Sequence, residues 1–339
     1  MIKILVDCFG GDHCPQAPVQ GALDALAANP DLHILLTGDE TLLRRELEGK
    51  SYDKDRLEIV HAPEVIGCDE KPTDVVRLKR NSSMMKGIIL LRDRDDIAAL
   101  VSTGSTGALV TGALVRLGRI PGVIRPAFCP ILPTMDGGLV GICDSGANVE
   151  VGAAHLRQFA IMASLYMENV YGVKNPRVAL LNVGKEAEKG DDLRREAYAL
   201  LQDTPSLNFV GNMESRDLLS GRYNVVVADG FSGNVLVKTT EGTALELLGK
   251  LKKEIFSKTL YKLGALLMKG LFAHLKDFMN YQNYGGSVLL GTSKVVVKGH
   301  GSSKAVAVQK CIEQAYRMEV SRLSGKIEAE IAKYEHYTE

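Results

Sequence analysis

Several residues in this sequence have the type and spacing to handle an anion and a carbonyl group. Lys189 stands in Gly184-Lys185-Glu186-Ala187-Glu188-Lys189-Gly190-Asp191-Asp192. A lysine between flexible loop residues can hold an anion as a point charge, and it reads equally as a surface lysine in a charged loop. Asn234 follows Asp229-Gly230-Phe231-Ser232-Gly233, where a helix opens. Its amide can donate to a carbonyl or phosphate oxygen, or it can simply cap the helix. The run Ser102-Thr103-Gly104-Ser105-Thr106-Gly107 turns an apolar strand into a small-residue helix. The free amides and positive dipole end of such a helix suit a phosphate, although an ordinary capped joint has the same composition. The turn is neither G-x-G-x-x-G nor a Walker loop, so it names no nucleotide. Asp12 and His13, in the Gly-rich loop Asp7-Cys8-Phe9-Gly10-Gly11-Asp12-His13-Cys14-Pro15, suit acid-base or phosphate work, or a satisfied turn.

The elements that must position these residues alternate between short β-rich runs and helical patterns. Strands are expected at Ile2–Val6, Leu32–Thr37, Leu57–His61, Ala98–Val101, Val178–Val183, Leu207–Val210 and Val225–Ala228. Helices are expected at about Ala17–Asn29, Thr41–Glu48, Thr73–Arg80, Met84–Arg92, Ala153–Tyr171 and up to Leu201. Phe128–Thr134 and Gly138–Cys143 flank Met135-Asp136-Gly137, a hairpin signal that adds an antiparallel pair. Asp144-Ser145-Gly146-Ala147-Asn148 then forms a second polar loop at a strand end. The expectation is an α/β fold with a doubly wound, mostly parallel but mixed sheet and helices on both faces. Open α/β sheets bind ligands at the carboxyl ends of their strands, where these loops lie. No repeat or linker divides the chain, so residues 1–339 are read as one domain.

A chain of 339 residues, 45% of them apolar, can bury a large core. Its 41 basic residues balance 41 acidic ones, which excludes a nucleic-acid binder that relies on overall basicity. Arg77, Lys79, Arg80 and Lys86 suit either an anionic partner or a solvated face. Cys8, Cys14, Cys68, Cys129, Cys143 and Cys311 have neither C-x-x-C spacing nor scaffold density, and read as reduced thiols in a cytosol. The opening apolar run is too short for a signal peptide, and no stretch is long enough to span a bilayer.

From Lys250 to Asn280, Phe256, Leu260, Leu263, Leu267 and Leu271 recur at helical spacing. Seven lysines against Glu254 and Asp277 give this segment five net positive charges in a neutral chain. The pattern predicts an amphipathic helix broken at Gly264 or Gly270. Its apolar stripe suits an anionic membrane surface, a dimer interface or the core.

Together the loops carry a resemblance that none carries alone. Asp7…Gly10-Gly11-Asp12-His13, Ser102 to Ala108, Leu117-Gly118-Arg119-Ile120-Pro121-Gly122, Asp144 to Asn148, Asp229 to Asn234, Tyr284-Gly285-Gly286 and His300-Gly301-Ser302-Ser303 occur in the order seen in the PlsX family. Over nearly its whole length the sequence resembles these phosphate acyltransferases. Mild departures are Cys8-Phe9, Cys14, Ser105 and Asp191-Asp192. The resemblance implies a fold like that of isocitrate/isopropylmalate dehydrogenases and phosphotransacetylases, a homodimer, and a cytoplasmic protein peripherally associated with an anionic membrane surface. It implies that acyl-[acyl carrier protein] and inorganic phosphate become acyl phosphate, which a glycerol-3-phosphate acyltransferase uses in phospholipid synthesis. Lys189 and Asn234 are the implied catalytic residues. Phosphate and substrate would fall to Asp7, Gly11, Asp12, His13, Ser102, Thr103, Gly104, Thr106, Gly107, Asn148, Gly233 and His300, and membrane contact to Leu263, Leu266 and Leu267. Thioesters are reactive and thiolates leave readily, so orientation and oxyanion stabilisation suffice, and neither metal nor other cofactor is expected. The rivals are a covalent route through Cys8 or Cys14, a nicotinamide dehydrogenase lacking the usual glycine fingerprint, and a non-catalytic phosphate- or acyl-binding module.

Overall fold

The computed structural model describes residues 1–67, 70–272 and 284–337; Cys68, Lys276, Asp277 and the end of the amphipathic segment lie outside the described residues. The chain opens with β1 (Ile2–Asp7), α1 (Gln16–Ala28), β2 (Leu32–Gly38), α2 (Glu40–Leu47), β3 (Leu57–His61), α3 (Pro72–Leu78), α4 (Ser83–Asp93), β4 (Ile97–Ser102) and α5 (Thr106–Arg116). It continues with β5 (Ala127–Cys129), β6 (Ile131–Pro133), β7 (Leu139–Cys143), α6 (Ala153–Tyr171), β8 (Arg177–Asn182), α7 (Asp192–Gln202), β9 (Asn208–Glu214) and β10 (Val225–Val227). The last described elements are α8 (Gly230–Ile255), α9 (Thr259–Leu267), β11 (Ser287–Leu290), β12 (Val295–Lys298), α10 (Ala305–Val320) and α11 (Leu323–Ile331).

The strands form two mixed sheets rather than one. The first has seven strands in the order β3-β2-β1-β4-β12-β11-β5, and the second five in the order β6-β7-β10-β8-β9. Only β11 breaks the parallel direction of the first sheet. In the second, β6 runs antiparallel to β7, as the hairpin signal required. The run expected as one strand from Phe128 divides at Pro130, with β5 in one sheet and β6 in the other. Proline has no N–H for a central ladder, so the chain passes between sheets there. One core cluster draws on both sheets, with Val6, Leu36 and Val101 on one side, Val178 and Val225 on the other, and Phe159 and Tyr166 of α6 between them. Strands covered on both faces need no polar alternation, which is why β1 and β4 read as continuous apolar runs.

Helix α8 is only partly tied to this core. Its buried residues are Gly230, Gly233, Leu236 and Val237, all in its first two turns, and α9 has none. The amphipathic segment breaks at Phe256–Lys258 and again at Met268, and the described chain runs helically through Gly264 and Gly270. A lone glycine costs a helix only about 1 kcal/mol, too little to end it. At Ser257 the hydroxyl donates to the Glu254 carbonyl at 2.6 Å, the local competition by which serine ends helices.

Candidate active site

The loops that leave the carboxyl ends of both sheets converge on one cavity of about 160 Å³. Ser145 follows β7, Asn234 stands at the start of α8, Thr106 at the start of α5, and Lys298 and His300 at the end of β12. Phe128, Ile131 and Leu132, on the strand run that crosses between the sheets, give it an apolar wall.

On the first sheet, Asp7, Ser102 and Lys298 are register neighbours across β1, β4 and β12. The Asp7 carboxylate is buried and accepts from Ser83 Oγ at 2.5 Å, Ser102 Oγ at 2.6 Å and the Phe9 amide at 3.3 Å. Burial raises its pKa above the usual carboxylate value, against these hydrogen bonds. The three donors come from the loop after β1, from α4 and from β4, so Asp7 ties these segments together. Thr103 donates to the Gly10 carbonyl, and the Asp12 amide donates to Gly301 at 2.8 Å. Gly11 has a φ of +92°, and a Cβ there would lie 2.8 Å from both Gly301 O and Thr103 Oγ1. Only glycine fits between these two loops. Asp12 and His13 remain exposed beside them.

On the second sheet, Asp144 plays the organising part. Its buried carboxylate accepts from the amides of Phe128 (2.9 Å), Ser145 (2.7 Å) and Asn148 (2.7 Å). Burial raises its pKa while these bonds oppose the shift. Asn148 is turned away from the cavity's work, because its side-chain amide donates to Pro126 O at 2.8 Å and to Asp144 at 3.0 Å. Asp229 caps α8 through the Ser232 amide at 2.8 Å and receives Arg194 at the start of α7. Arg194 also holds Asp191 at 2.9 Å, so the loop carrying Lys189 is clamped to the helix carrying Asn234. Lys189 itself is exposed, does not line the cavity, and has no ion-pair partner among the described residues.

The cavity thus holds Thr106, Asn234 and His300 from the expected set, and the tight turns around Gly11, Ser102, Thr103, Gly104 and Gly233 frame it. Ser145, Lys238 and Lys298 line it and were not anticipated. Lys298 had a visible signal, a charge that ends the apolar run Val295-Val296-Val297 just before His300. Burial lowers its pKa to about 8, and burial also lowers that of His300. Of the basic residues singled out near α3, Lys79 is spent on Glu70 at 2.6 Å and Lys86 on the His61 carbonyl at 2.6 Å. Among the described residues no group of three His, Cys, Asp or Glu side chains is placed to hold a metal ion.

Fold and site define an α/β protein with a cleft at the carboxyl edges of its sheets that Lys238 and Lys298 help to line. The sequence model of the family described as "Fatty acid synthesis protein" matches residues 2–324, and the chain belongs to that family, the one its motifs resemble under the name PlsX. It is 42% identical over 334 residues to the phosphate acyltransferase of Clostridium tetani, covering 98% of this chain and 99% of that one. It is 44% identical over 333 residues to the phosphate acyltransferase of Geobacillus thermodenitrificans, with 98% and 99% covered. Among solved structures, a phosphotransacetylase from Streptococcus pyogenes superposes with a TM-score of 0.59 over 94% of each chain at 17% identity, a likeness of fold.

Proposed function

We propose that this acyltransferase converts fatty acyl-[acyl carrier protein] and inorganic phosphate into acyl phosphate within the cavity between the two sheets. The observation that carries the reading is the cavity's mixed lining, in which Asn234, Ser145 and Lys298 share one pocket with the apolar Phe128, Ile131 and Leu132. A thioester laid along the wall presents its carbonyl to the polar side. A phosphate oxygen forms the new C–O bond, the tetrahedral oxyanion collapses, and the C–S bond breaks with its electron pair on sulfur. The proton given up by phosphate neutralises the departing pantetheine thiolate. Asn234 donates to the oxyanion, the kind of fixed donor that is worth most in the transition state. Lys189 supplies a point charge from its exposed loop to the incoming phosphate or the departing acyl phosphate. Direct attack is favoured over an acyl-cysteine because burial raises the thiol pKa of both Cys8 and Cys14, which disfavours the thiolate nucleophile.

Acyl phosphate then passes to an acyltransferase acting on glycerol 3-phosphate. The product's acyl chain enters lipid more readily than water, and the α8–α9 arm offers the contact: Leu263, Leu266 and Leu267 are 57%, 68% and 90% exposed. No helix among the described residues is long and apolar enough to cross a membrane, so this contact is peripheral. A homodimer fits the same exposed apolar surface. The deciding experiment is incubation with acyl-[acyl carrier protein] thioester and phosphate, with acyl phosphate trapped by hydroxylamine. Phosphate-dependent hydroxamate is expected. Thioester consumption without it would leave a hydrolase, and an intact thioester a binding module.

A further inference from the structure

Lys298 ends β12 beside Ser102 of β4, one strand from the Asp7 carboxylate. It is only 9% exposed and lines the cavity. An ammonium carries three N–H donors, and this one donates to the Gly299 carbonyl, leaving two donors with no acceptor among the described residues. The acidic groups nearby are otherwise engaged or held at a distance. Asp7 is committed to Ser83, Ser102 and the Phe9 amide, Glu241 pairs with Lys238 at 2.7 Å, and Asp12 is exposed on its loop. A buried cation without a partner is costly, and a protein retains one where a ligand supplies the missing charge. Its neighbours on the cavity, Asn234, Ser145 and His300, add polar groups but no negative charge.

We propose that Lys298 is a binding residue for the phosphate nucleophile, its two unused donors meeting phosphate oxygens at the cavity floor. The assignment rests on the acyl phosphate reading above and gives phosphate a place inside the cavity, behind the thioester carbonyl held by Asn234. Burial has already lowered the lysine's pKa to about 8, the direction expected of a cation awaiting its counter-charge, and a bound phosphate would raise it again. Lys189 then acts from outside the cavity and Lys298 from within.

The test uses the full chain and Lys298→Met, which keeps the length of the side chain and removes its charge. Lys298→Met should raise the KM for phosphate by about thirtyfold or more, the scale for truncating one partner of a buried hydrogen-bonded charge pair. The KM for the acyl carrier thioester should stay within twofold (about) and the melting temperature should hold. An unchanged phosphate KM overturns the assignment. A second measurement needs neither turnover nor a variant: reductive methylation of the native protein by formaldehyde and cyanoborohydride, read by peptide mass spectrometry with and without inorganic phosphate. Phosphate should slow labelling of Lys298 and leave the exposed Lys54 unaffected. Equal labelling of Lys298 in both conditions overturns the proposal even if acyl phosphate is made, whereas protection without acyl phosphate defeats only the activity reading.

Discussion

The cavity end of the two sheets and the helical arm beyond Val237 obey opposite rules of burial. At the cavity, polar side chains are buried and nearly every one is engaged: Asp7 with three donors, Asp144 with backbone amides on both sides of its loop, Asn148 with two acceptors. Along the arm, apolar side chains are exposed: Leu260 is 74% and Leu267 90% accessible, and α9 buries nothing. A buried, satisfied polar network is rigid and costly to disturb, which suits holding a carbonyl and an anion in fixed register. An exposed apolar stripe beside lysines has the reverse economy, gaining free energy only when something covers it. The same helix, α8, starts in one regime and ends in the other, so under the proposed function it would join the chemistry to the surface on which the product leaves.

The largest effects should follow from removing the two groups proposed to act on the carbonyl and the phosphate. Asn234→Ala and Lys189→Ala should each lower turnover by about two to three orders of magnitude, the scale for one lost transition-state donor. Both residues are exposed, so thermal stability should not change. A variant that keeps near-native turnover removes that residue from the mechanism and, for Lys189, leaves Lys298 as the cation that matters.

A packing change should come next. A Cβ on Gly233 would overlap the Asp144 carbonyl oxygen, a backbone atom that cannot rotate away. Gly233→Ala should therefore cost about 2–3 kcal/mol of stability, the upper part of the range for overpacking a filled site. Differential scanning calorimetry against the native protein checks it; an unchanged melting temperature would mean the cavity end is softer than its hydrogen bonds imply.

Much of this organisation was legible in the sequence. Each turn that frames the cavity is a Gly/Ser/Asp cluster after an apolar run, and local chemistry alone marks those strand ends. Two things were not legible. The split at Pro130 into two sheets depends on β5 pairing with β11, more than 150 residues further along the chain, which no local pattern records. Lys298 closes the strand Val295–Lys298, which is not among the expected elements, and whether a terminal lysine lies in solvent or under a neighbouring loop is decided by tertiary packing. Asn148 illustrates the reverse error of scale: its position on a polar loop suits a ligand, but proximity to Asp144 and Pro126 commits its amide to holding the loop.

The arm yields a smaller effect on chemistry and a separable one on location. Replacing Leu263, Leu266 and Leu267 by glutamine should leave soluble acyl phosphate formation within about twofold and reduce flotation with anionic vesicles by about tenfold or more, the loss expected if even one leucine is immersed in lipid. Salt should weaken the native interaction, since the segment's lysines contribute through a screened field. Equal flotation of native and substituted proteins would assign the stripe to a second copy of the chain.

The smallest expected effect is the sharpest contrast with Gly233. A Cβ built on Gly264 meets nothing within 4 Å, and the residue lies inside α9 with ordinary helical neighbours. Gly264→Ala removes the entropic penalty of a helical glycine and should favour the helix by up to about 1 kcal/mol. Because the arm shares few contacts with the core, that gain should not move the main unfolding transition. It should instead slow amide hydrogen exchange in α9 by up to about fivefold, the factor that 1 kcal/mol sets on a local opening equilibrium. A methyl group that instead accelerates exchange, increasingly so at higher protein concentration, would place another chain against Gly264 and make the arm a packed interface governed by the same rules as the cavity.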